Sequence, residues 1–175
     1  AGGGEDGILG ASGVAGIEGD PGVEGRTAGL YFTDQAKGQV YNNIIVRTVY
    51  TDTEYFVGTA NNSYGIWVGT GSGPLTLDYN DVWNWQTNYH WVLTGRHDLH
   101  ADPLFANVLC MDCEDFGLRV GSPCLDVADA AHAPADDHDG VLRPQDGDLD
   151  GTPGADMGAY EYISFHVYLP LALRQ

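Results

Sequence analysis

Basic residues are scarce in this sequence: lysine occurs once, at Lys37, and 7 Lys and Arg stand against 25 Asp and Glu. The net charge of −18 repels polyanions, so we expect neither nucleic acid nor an anionic lipid surface as a partner. Long hydrophobic runs are also missing, and none approaches the roughly 18–20 apolar residues of a membrane span, so membrane insertion is not expected. The opening residues Ala1–Gly4 lack the basic start and apolar stretch of a signal peptide. If the protein is secreted, we expect a processed form or a fragment of a longer chain.

Cysteine is limited to three residues, Cys110, Cys113 and Cys124. A Cys-x-x-Cys pair serves zinc or redox chemistry in other proteins, but a zinc site normally needs four ligands and a reactive thiol needs basic neighbours. The residues around this pair are acidic instead. We therefore predict one structural disulfide that closes a short loop onto Cys124, with one cysteine left free or paired between chains.

Helical periodicity is absent as well, since no segment combines a 3.6-residue apolar period with helix caps. Short apolar runs of strand length are found instead, each bounded by Gly, Asn, Asp or Ser. These runs are Gly29–Phe32, Val40–Val46, Tyr64–Val68 and Leu75–Trp83. They predict an all-β protein.

Two of these runs repeat. Gly29-Leu30-Tyr31 returns as Gly65-Ile66-Trp67 after 36 residues, and Tyr41-Asn42-Asn43-Ile44 returns as Tyr79-Asn80-Asp81-Val82 after 38 residues. Such near-periodic strands are typical of a solenoid, whose units bury their apolar faces only by stacking. An Asn at a corner would then bond the backbone of the next unit. The alternative is an ordinary β-sandwich with accidental similarity.

The first segment has glycine at every third position. The eight glycines in register are Gly4, Gly7, Gly10, Gly13, Gly16, Gly19, Gly22 and Gly25. The period resembles a collagen-like segment, in which only glycine fits at the axis of three wound chains. Polyproline-II strands packed glycine to glycine, or a glycine-rich coil of a solenoid, would keep the same period. We interpret residues 1–27 as a Gly-x-x oligomerisation segment.

Residues 29–162 resemble the C-terminal part of secreted right-handed parallel β-helix proteins, the pectate-lyase-like repeat proteins of the choice-of-anchor type. The motifs behind this resemblance are Asp102-Pro103-Leu104-Phe105, Gly121-Ser122-Pro123-Cys124-Leu125-Asp126, Arg143-Pro144 and Met157-Gly158-Ala159-Tyr160-Glu161-Tyr162. The resemblance implies a right-handed parallel β-helix over residues 28–162, an extracellular or cell-surface location and usually no demonstrated enzymatic activity.

Aspartates are concentrated between Asp126 and Asp156. Asp146, Asp148 and Asp150 alternate within Asp146-Gly147-Asp148-Leu149-Asp150-Gly151, a spacing that lets a turning loop direct three oxygens at one hard cation. The acid at position twelve of an EF-hand loop is missing, and Asp156 comes one residue early. We predict a Ca²⁺ site formed by Asp146, Asp148, Asp150 and Asp156, rather than a true EF-hand. A solvated acidic loop is the alternative.

Other functions have weaker support in the sequence. His97 and His100 offer two metal ligands without an obvious third. A lyase or glycosidase would need basic residues or opposed carboxylates on a groove, so we do not expect an enzyme. The aromatic residues Tyr31, Trp67, Trp83, Trp85, Tyr89 and Trp91 are candidates for stacking sugars. Asn61 begins a glycosylation sequon, Asn61-Asn62-Ser63.

The last residues, 163–175, are apolar and strand-like, with Val167, Leu169 and Leu171 as candidate contacts. Such a strand would cap the solenoid or add to the edge of a neighbouring subunit. We therefore interpret the chain as a non-catalytic extracellular structural protein that self-associates into a cell-surface or filamentous assembly. A carbohydrate-binding or polysaccharide-degrading β-helix protein, with cell-surface polysaccharide as partner, is the alternative.

Overall fold

Nine short β-strands form the secondary structure of the residues that the computed structural model describes, 27–47, 63–108 and 115–164. In chain order they are β1 (Thr27–Phe32), β2 (Gly38–Tyr41), β3 (Ile44–Val46), β4 (Ser63–Val68), β5 (Leu75–Asp78), β6 (Asp81–Trp83), β7 (Thr87–His90), β8 (Phe105–Asn107) and β9 (Asp115–Leu118). These ranges contain no α-helix, and hence none long and apolar enough to cross a membrane. Over the described ranges, the predicted all-β class is confirmed.

The strands pair in two successive repeats that run in the same order and direction. β1, β2 and β3, the first repeat, pair in parallel with β4, β5 and β6, the second repeat. Thr27 pairs with Ser63, 36 residues later, and the other two pairs are offset by 37 residues. β7 adds a third strand to the β1–β4 sheet, and a bridge from Asp81 to Leu99 extends the β3–β6 pair. β8 and β9 form a separate antiparallel pair.

One of the two predicted sequence repeats has the observed register and the other is one residue off. Leu30 pairs with Ile66, as the repeat at 36 residues predicts. Tyr41, however, pairs with Asp78 rather than with Tyr79. The reason lies in the backbone: Asn42 and Tyr79 both adopt left-handed φ values, 58° and 56°, at the bend after their strands. Tyr79 therefore corresponds to Asn42, and its likeness to Tyr41 is coincidental.

A buried asparagine joins the two repeats at this bend. Asn80 is fully buried, and its Nδ2 donates to the Val40 carbonyl at 2.9 Å. Its Oδ1 accepts from the backbone N–H of Asn43 at 3.1 Å, and its own N–H donates to Asp98 Oδ1 at 2.8 Å. A corner Asn was predicted to bond the backbone of the next unit; Asn80 does bond across the repeats, but to the backbone of the preceding one. These bonds satisfy backbone groups that the bend removes from the strand ladders.

The apolar core lies between the parallel pairs. Its buried members are Val40, Ile45, Ile66, Val68, Leu77 and Val82. Glycine is required at Gly65, where a Cβ would overlap Val82 Cγ1 and approach the Asn88 carbonyl to 2.6 Å. The two repeats therefore contribute to one core.

A second core cluster holds the acidic C-terminal segment against the repeats. Leu118, Cys124, Leu125 and Met157 are its buried members, and they pack against residues of both repeats, including Ile44 and Tyr79. Asn42 reinforces this contact through a reciprocal pair: its Nδ2 donates to the Asp129 carbonyl at 3.0 Å, and its Oδ1 accepts from the Asp129 N–H at 2.8 Å. The acidic segment is thus fixed at the bend that follows β2.

Candidate functional site in the acidic C-terminal segment

The loop from Asp146 to Gly151 is shaped by its own aspartates. Asp148 Oδ1 accepts from the Asp150 N–H at 3.0 Å, and Asp146 Oδ2 accepts from the Gly151 N–H at 3.0 Å. Leu149 and Gly151 take left-handed φ values of 65° and 93°. Short acidic side chains favour such turns because they bond nearby backbone N–H groups. The loop therefore turns as its sequence predicts.

Three carboxylates of this segment lie close enough to share one cation. Asp126, Asp146 and Asp148 each present an oxygen within 4.8 Å of the others. The loop wraps around Asp126, whose oxygens accept from the Gly147 N–H at 3.1 Å and the Asp148 N–H at 2.8 Å. Of the predicted ligands, Asp146 and Asp148 are brought together, whereas Asp150 and Asp156 are not members of this group. Asp126, a member, was not predicted, because 20 residues separate it from Asp146 in the chain.

One oxygen in the cluster lacks a partner. Asp146 Oδ1 is shielded from solvent and accepts no hydrogen bond, although Oδ2 of the same carboxylate does. A buried carboxylate oxygen without a donor is unfavourable, since nothing offsets the loss of its hydration. A cation held by Asp126, Asp146 and Asp148 would offset that loss.

Asp156 has a structural role beneath the cluster. It is 1% exposed, and its two oxygens accept the N–H groups of Asp126 at 2.8 Å and Tyr162 at 2.6 Å. Burial, helped by the charges of Glu161 and Asp126 and opposed by these two hydrogen bonds, raises the pKa of Asp156 to about 7. Both oxygens hold backbone groups, and through the Asp126 N–H the Asp156 carboxylate positions Asp126.

A buried ion pair closes the segment. Arg143 Nε lies 3.3 Å from Glu161 Oε2, and the two side chains are 3% and 1% exposed. The Arg143 guanidinium also donates to the carbonyls of Asp156 at 2.7 Å and Gly158 at 2.9 Å, and Glu161 accepts from the Gln145 N–H at 2.8 Å. Both residues belong to motifs that carried the family resemblance, but their pairing was not predicted. Removing either would leave an uncompensated buried charge.

Cys124 was predicted to take part in a disulfide, and the structure differs from that prediction. Cys124 is a free, fully buried cysteine, and its Sγ lies 3.3 Å from Asp81 Oδ2. The structure thus places this sulfur inside the second core cluster, facing a carboxyl group and not another sulfur. Burial, followed by the Asp81 charge, raises the pKa of the Cys124 thiol and so disfavours the reactive thiolate. Cys110 and Cys113 lie outside the described residues.

The predicted histidine and aromatic sites fall in several places. His97 Nδ1 lies 2.9 Å from Asp78 Oδ2, and neither His97 nor His100 joins a cluster of metal-binding groups within the described ranges. Trp85 and Tyr89 pack against the first core, while Trp83 is 36% exposed.

Some predicted sites lie outside the described residues, namely Asn61, the Gly-x-x positions from Gly4 to Gly25, and the tail residues Val167, Leu169 and Leu171. They stay predictions.

Comparison with known proteins gives no match of the chain to a protein-family model, to a curated protein or to a solved structure.

Proposed function

We propose that this chain is a non-catalytic structural protein of the cell exterior, built as a short right-handed parallel β-helix and stiffened by bound Ca²⁺. The observation behind the proposal is the parallel pairing of two successive repeats in order and in register. The hydrogen bonds that the buried Asn80 side chain makes between the two repeats support it, because such bonds hold one turn of a solenoid against the next. A stack of this kind resists bending and local opening, since each turn is held by its neighbours.

Calcium is the cation best suited to the cluster. Asp126, Asp146 and Asp148 supply only hard carboxylate oxygens, and Ca²⁺ takes 6–8 oxygen ligands in flexible geometry. Backbone carbonyls and water would complete the shell. A site with few chain ligands suits the high Ca²⁺ concentration outside cells, where modules bind at about 10⁻⁴–10⁻³ M. The net charge of −18 also favours a soluble, cation-rich setting.

Self-association follows from the edges of the stack. Among the described residues, each strand of the first repeat has a partner on one side only. Unpaired edges that point the same way are templates for further strands. We assign the Gly-x-x segment, residues 1–27, and the apolar tail, residues 163–175, to contacts between subunits.

The buried acids favour a structural role over catalysis. Asp156 and Glu161 accept backbone N–H groups, and so does the half-buried Asp137, whose oxygens hold the N–H groups of Glu161 and Val141 at 2.8 Å. A catalytic carboxylate must instead be free to exchange a proton with substrate. These three side chains fix the path of the C-terminal segment.

Thermal unfolding with and without Ca²⁺ tests the metal part of the proposal. At 100 times its dissociation constant, a bound ion stabilises the folded state by about 2.7 kcal/mol, so Ca²⁺ should raise the melting temperature and EDTA should lower it. Asp146→Asn and Asp126→Asn should abolish the Ca²⁺-dependent part. Asp139→Asn, an exposed acid outside the cluster, is the matched control and should respond as the original chain does. Equal melting temperatures in Ca²⁺ and EDTA would contradict calcium binding.

Analytical ultracentrifugation tests the self-association part. The full chain should sediment as a defined oligomer or larger species, and a chain ending at Ser164 should sediment as smaller particles with an unchanged circular dichroism spectrum. A full chain that stays monomeric at all concentrations tested would contradict the proposal.

A further inference from the structure

Five aromatic rings form a continuous patch on the outer side of the β1–β4–β7 sheet. We call this patch, made of Tyr31, Tyr64, Trp67, His90 and Trp91, the aromatic face. Tyr31, Trp67 and His90 occupy one row of the sheet, because Tyr31 pairs with Trp67 and Trp67 pairs with His90. Tyr64 contacts both Trp67 and His90, and Trp91 contacts His90.

The three rings of the row, Tyr31, Trp67 and His90, point away from the core. Their chain neighbours Leu30, Ile66 and Tyr89 pack into the first core cluster, and successive residues of a strand face opposite sides of the sheet. The row therefore lies on the side that the repeats turn outward.

The rings are in mutual contact. Tyr31 and Trp67 meet edge to face at 5.7 Å between centroids, and His90 lies 4.8 Å from Trp67. Trp91 stacks on His90 at 4.8 Å, and Tyr64 contacts Trp67 at 4.5 Å. Each ring is thereby restricted by its neighbours. A platform that is already ordered loses little conformational entropy when a ligand binds.

The margins of the aromatic face are open to solvent, whereas its central ring, Trp67, is only 9% exposed. Tyr31 is 49% exposed and Trp91 is 66% exposed. Tyr31 packs on Trp67 and Trp91 packs on His90, so the two exposed rings belong to one aromatic cluster, and such clusters mark an interaction surface more often than isolated apolar residues do. Tyrosine, tryptophan and histidine also carry polar groups at the ring edge, so the surface offers hydrogen bonds beside the ring faces.

We propose that the aromatic face binds a neutral polysaccharide. Sugar rings have an apolar C–H side that stacks on the electron-rich face of an aromatic ring, and hydroxyl groups at their edge that bond to polar tips. None of the five side chains is a carboxylate, and the chain as a whole carries a charge of −18, which repels acidic polysaccharides. An uncharged glycan is therefore the occupant that both the rings and the charge favour. The proposal does not depend on calcium binding or on self-association.

Affinity electrophoresis of the full chain in native gels tests this inference. The gels contain hydroxyethyl cellulose, xyloglucan or galactomannan as neutral probes, and polygalacturonate as the acidic probe. The chain should be retarded by at least one neutral probe and not by polygalacturonate. Trp91→Ala and Tyr31→Ala should each weaken the retardation constant about tenfold or more, as loss of an exposed aromatic contact with the ligand does.

Trp83→Ala is the matched control, since Trp83 is exposed but lies in β6, outside the aromatic face. It should bind as the original chain does. Tyr31→Ala guards against a folding artefact at Trp91, whose φ of 56° is strained for alanine. Absence of retardation by all three neutral probes would overturn the inference. An equal loss of retardation in Trp83→Ala would also overturn it. So would a Trp91→Ala variant that no longer forms oligomers but still binds the glycan, since the aromatic face would then be a protein interface.

Discussion

Replacement of Asn80 by alanine is the sharpest test of how the two repeats are joined. The Asn80 side chain is fully buried and makes hydrogen bonds to three backbone groups: Nδ2 donates to the carbonyls of Val40 at 2.9 Å and Asp78 at 3.1 Å, and Oδ1 accepts from the Asn43 N–H at 3.1 Å. Alanine fills less space and makes none of these bonds. The backbone groups of the first repeat would keep their positions without a partner.

The expected cost follows from the groups left unpaired. A buried donor or acceptor without a partner costs about 1–3 kcal/mol. The Val40 carbonyl lies in the core and should account for most of this cost, whereas the Asn43 N–H is half-buried and should recover part of its bonding with water. We therefore expect a loss of about 2–4 kcal/mol in the free energy of unfolding, which is large against the 5–15 kcal/mol typical of a whole domain.

Urea unfolding followed by tryptophan fluorescence measures this loss. The midpoint should fall while the slope stays constant, which indicates a change of stability without a change in the surface exposed. Asn84→Gly is the control: Asn84 also bonds across the repeats, to the Arg47 carbonyl at 2.8 Å, but is exposed, and its φ of 65° suits glycine. It should cost under about 1 kcal/mol. The reasoning is refuted if Asn80→Ala costs no more than Asn84→Gly.

Three further outcomes are expected. Burial raises the pKa of Asp81. The folded state is therefore favoured fully below about pH 4, where Asp81 is protonated, and this stabilisation is lost as the pH rises through the folded-state pKa. Asp81→Asn cannot ionise, so in urea unfolding it should be more stable than the original chain at pH 7 and equally stable at pH 3.5. Equal stability at both pH values would contradict this. Gly65→Ala forces a methyl group against Val82 and should cost about 1–3 kcal/mol in urea unfolding. Gly73→Ala should cost less, because the nearest neighbours of its methyl group are the Lys37 side chain at 3.2 Å and the Ala36 carbonyl at 3.5 Å. Compared with the original chain, Asp146→Asn should be more stable in EDTA, because it removes charge from a buried oxygen that has no hydrogen-bond donor. In Ca²⁺ it should be less stable. A lower melting temperature in both buffers would argue against a cation site.

Strands β1 to β6 were predictable from the sequence because they coincide with short apolar runs bounded by turn residues, whereas β7, β8 and β9 lie outside the predicted runs. The pairing of Leu30 with Ile66 was also predictable, since stacked strands need similar residues at equivalent positions. The register at Tyr79 was not, because similarity of letters placed it opposite Tyr41, whereas the left-handed bend places it opposite Asn42. A tyrosine in the sequence gives no signal that its residue adopts a left-handed φ.

The site was only half predictable. The alternating acids Asp146 and Asp148 share one loop, so their closeness follows from spacing alone. Asp126 approaches them only after the chain has folded back through the second core cluster, and the contact of Cys124 with Asp81 joins residues 43 positions apart. Contacts over such distances depend on tertiary packing, which one sequence does not encode in its local pattern.

Electron microscopy of the native, purified protein, without refolding, tests the central claim most directly. A structural subunit with unpaired strand edges, a Gly-x-x segment and an apolar tail should appear as regular filaments or as stalked oligomers. Deletion of residues 165–175 should shorten or disperse these particles. Discrete single particles of one chain's mass, at the concentrations and Ca²⁺ levels of the cell exterior, would contradict the structural account and leave polysaccharide binding by the aromatic face as the function to pursue.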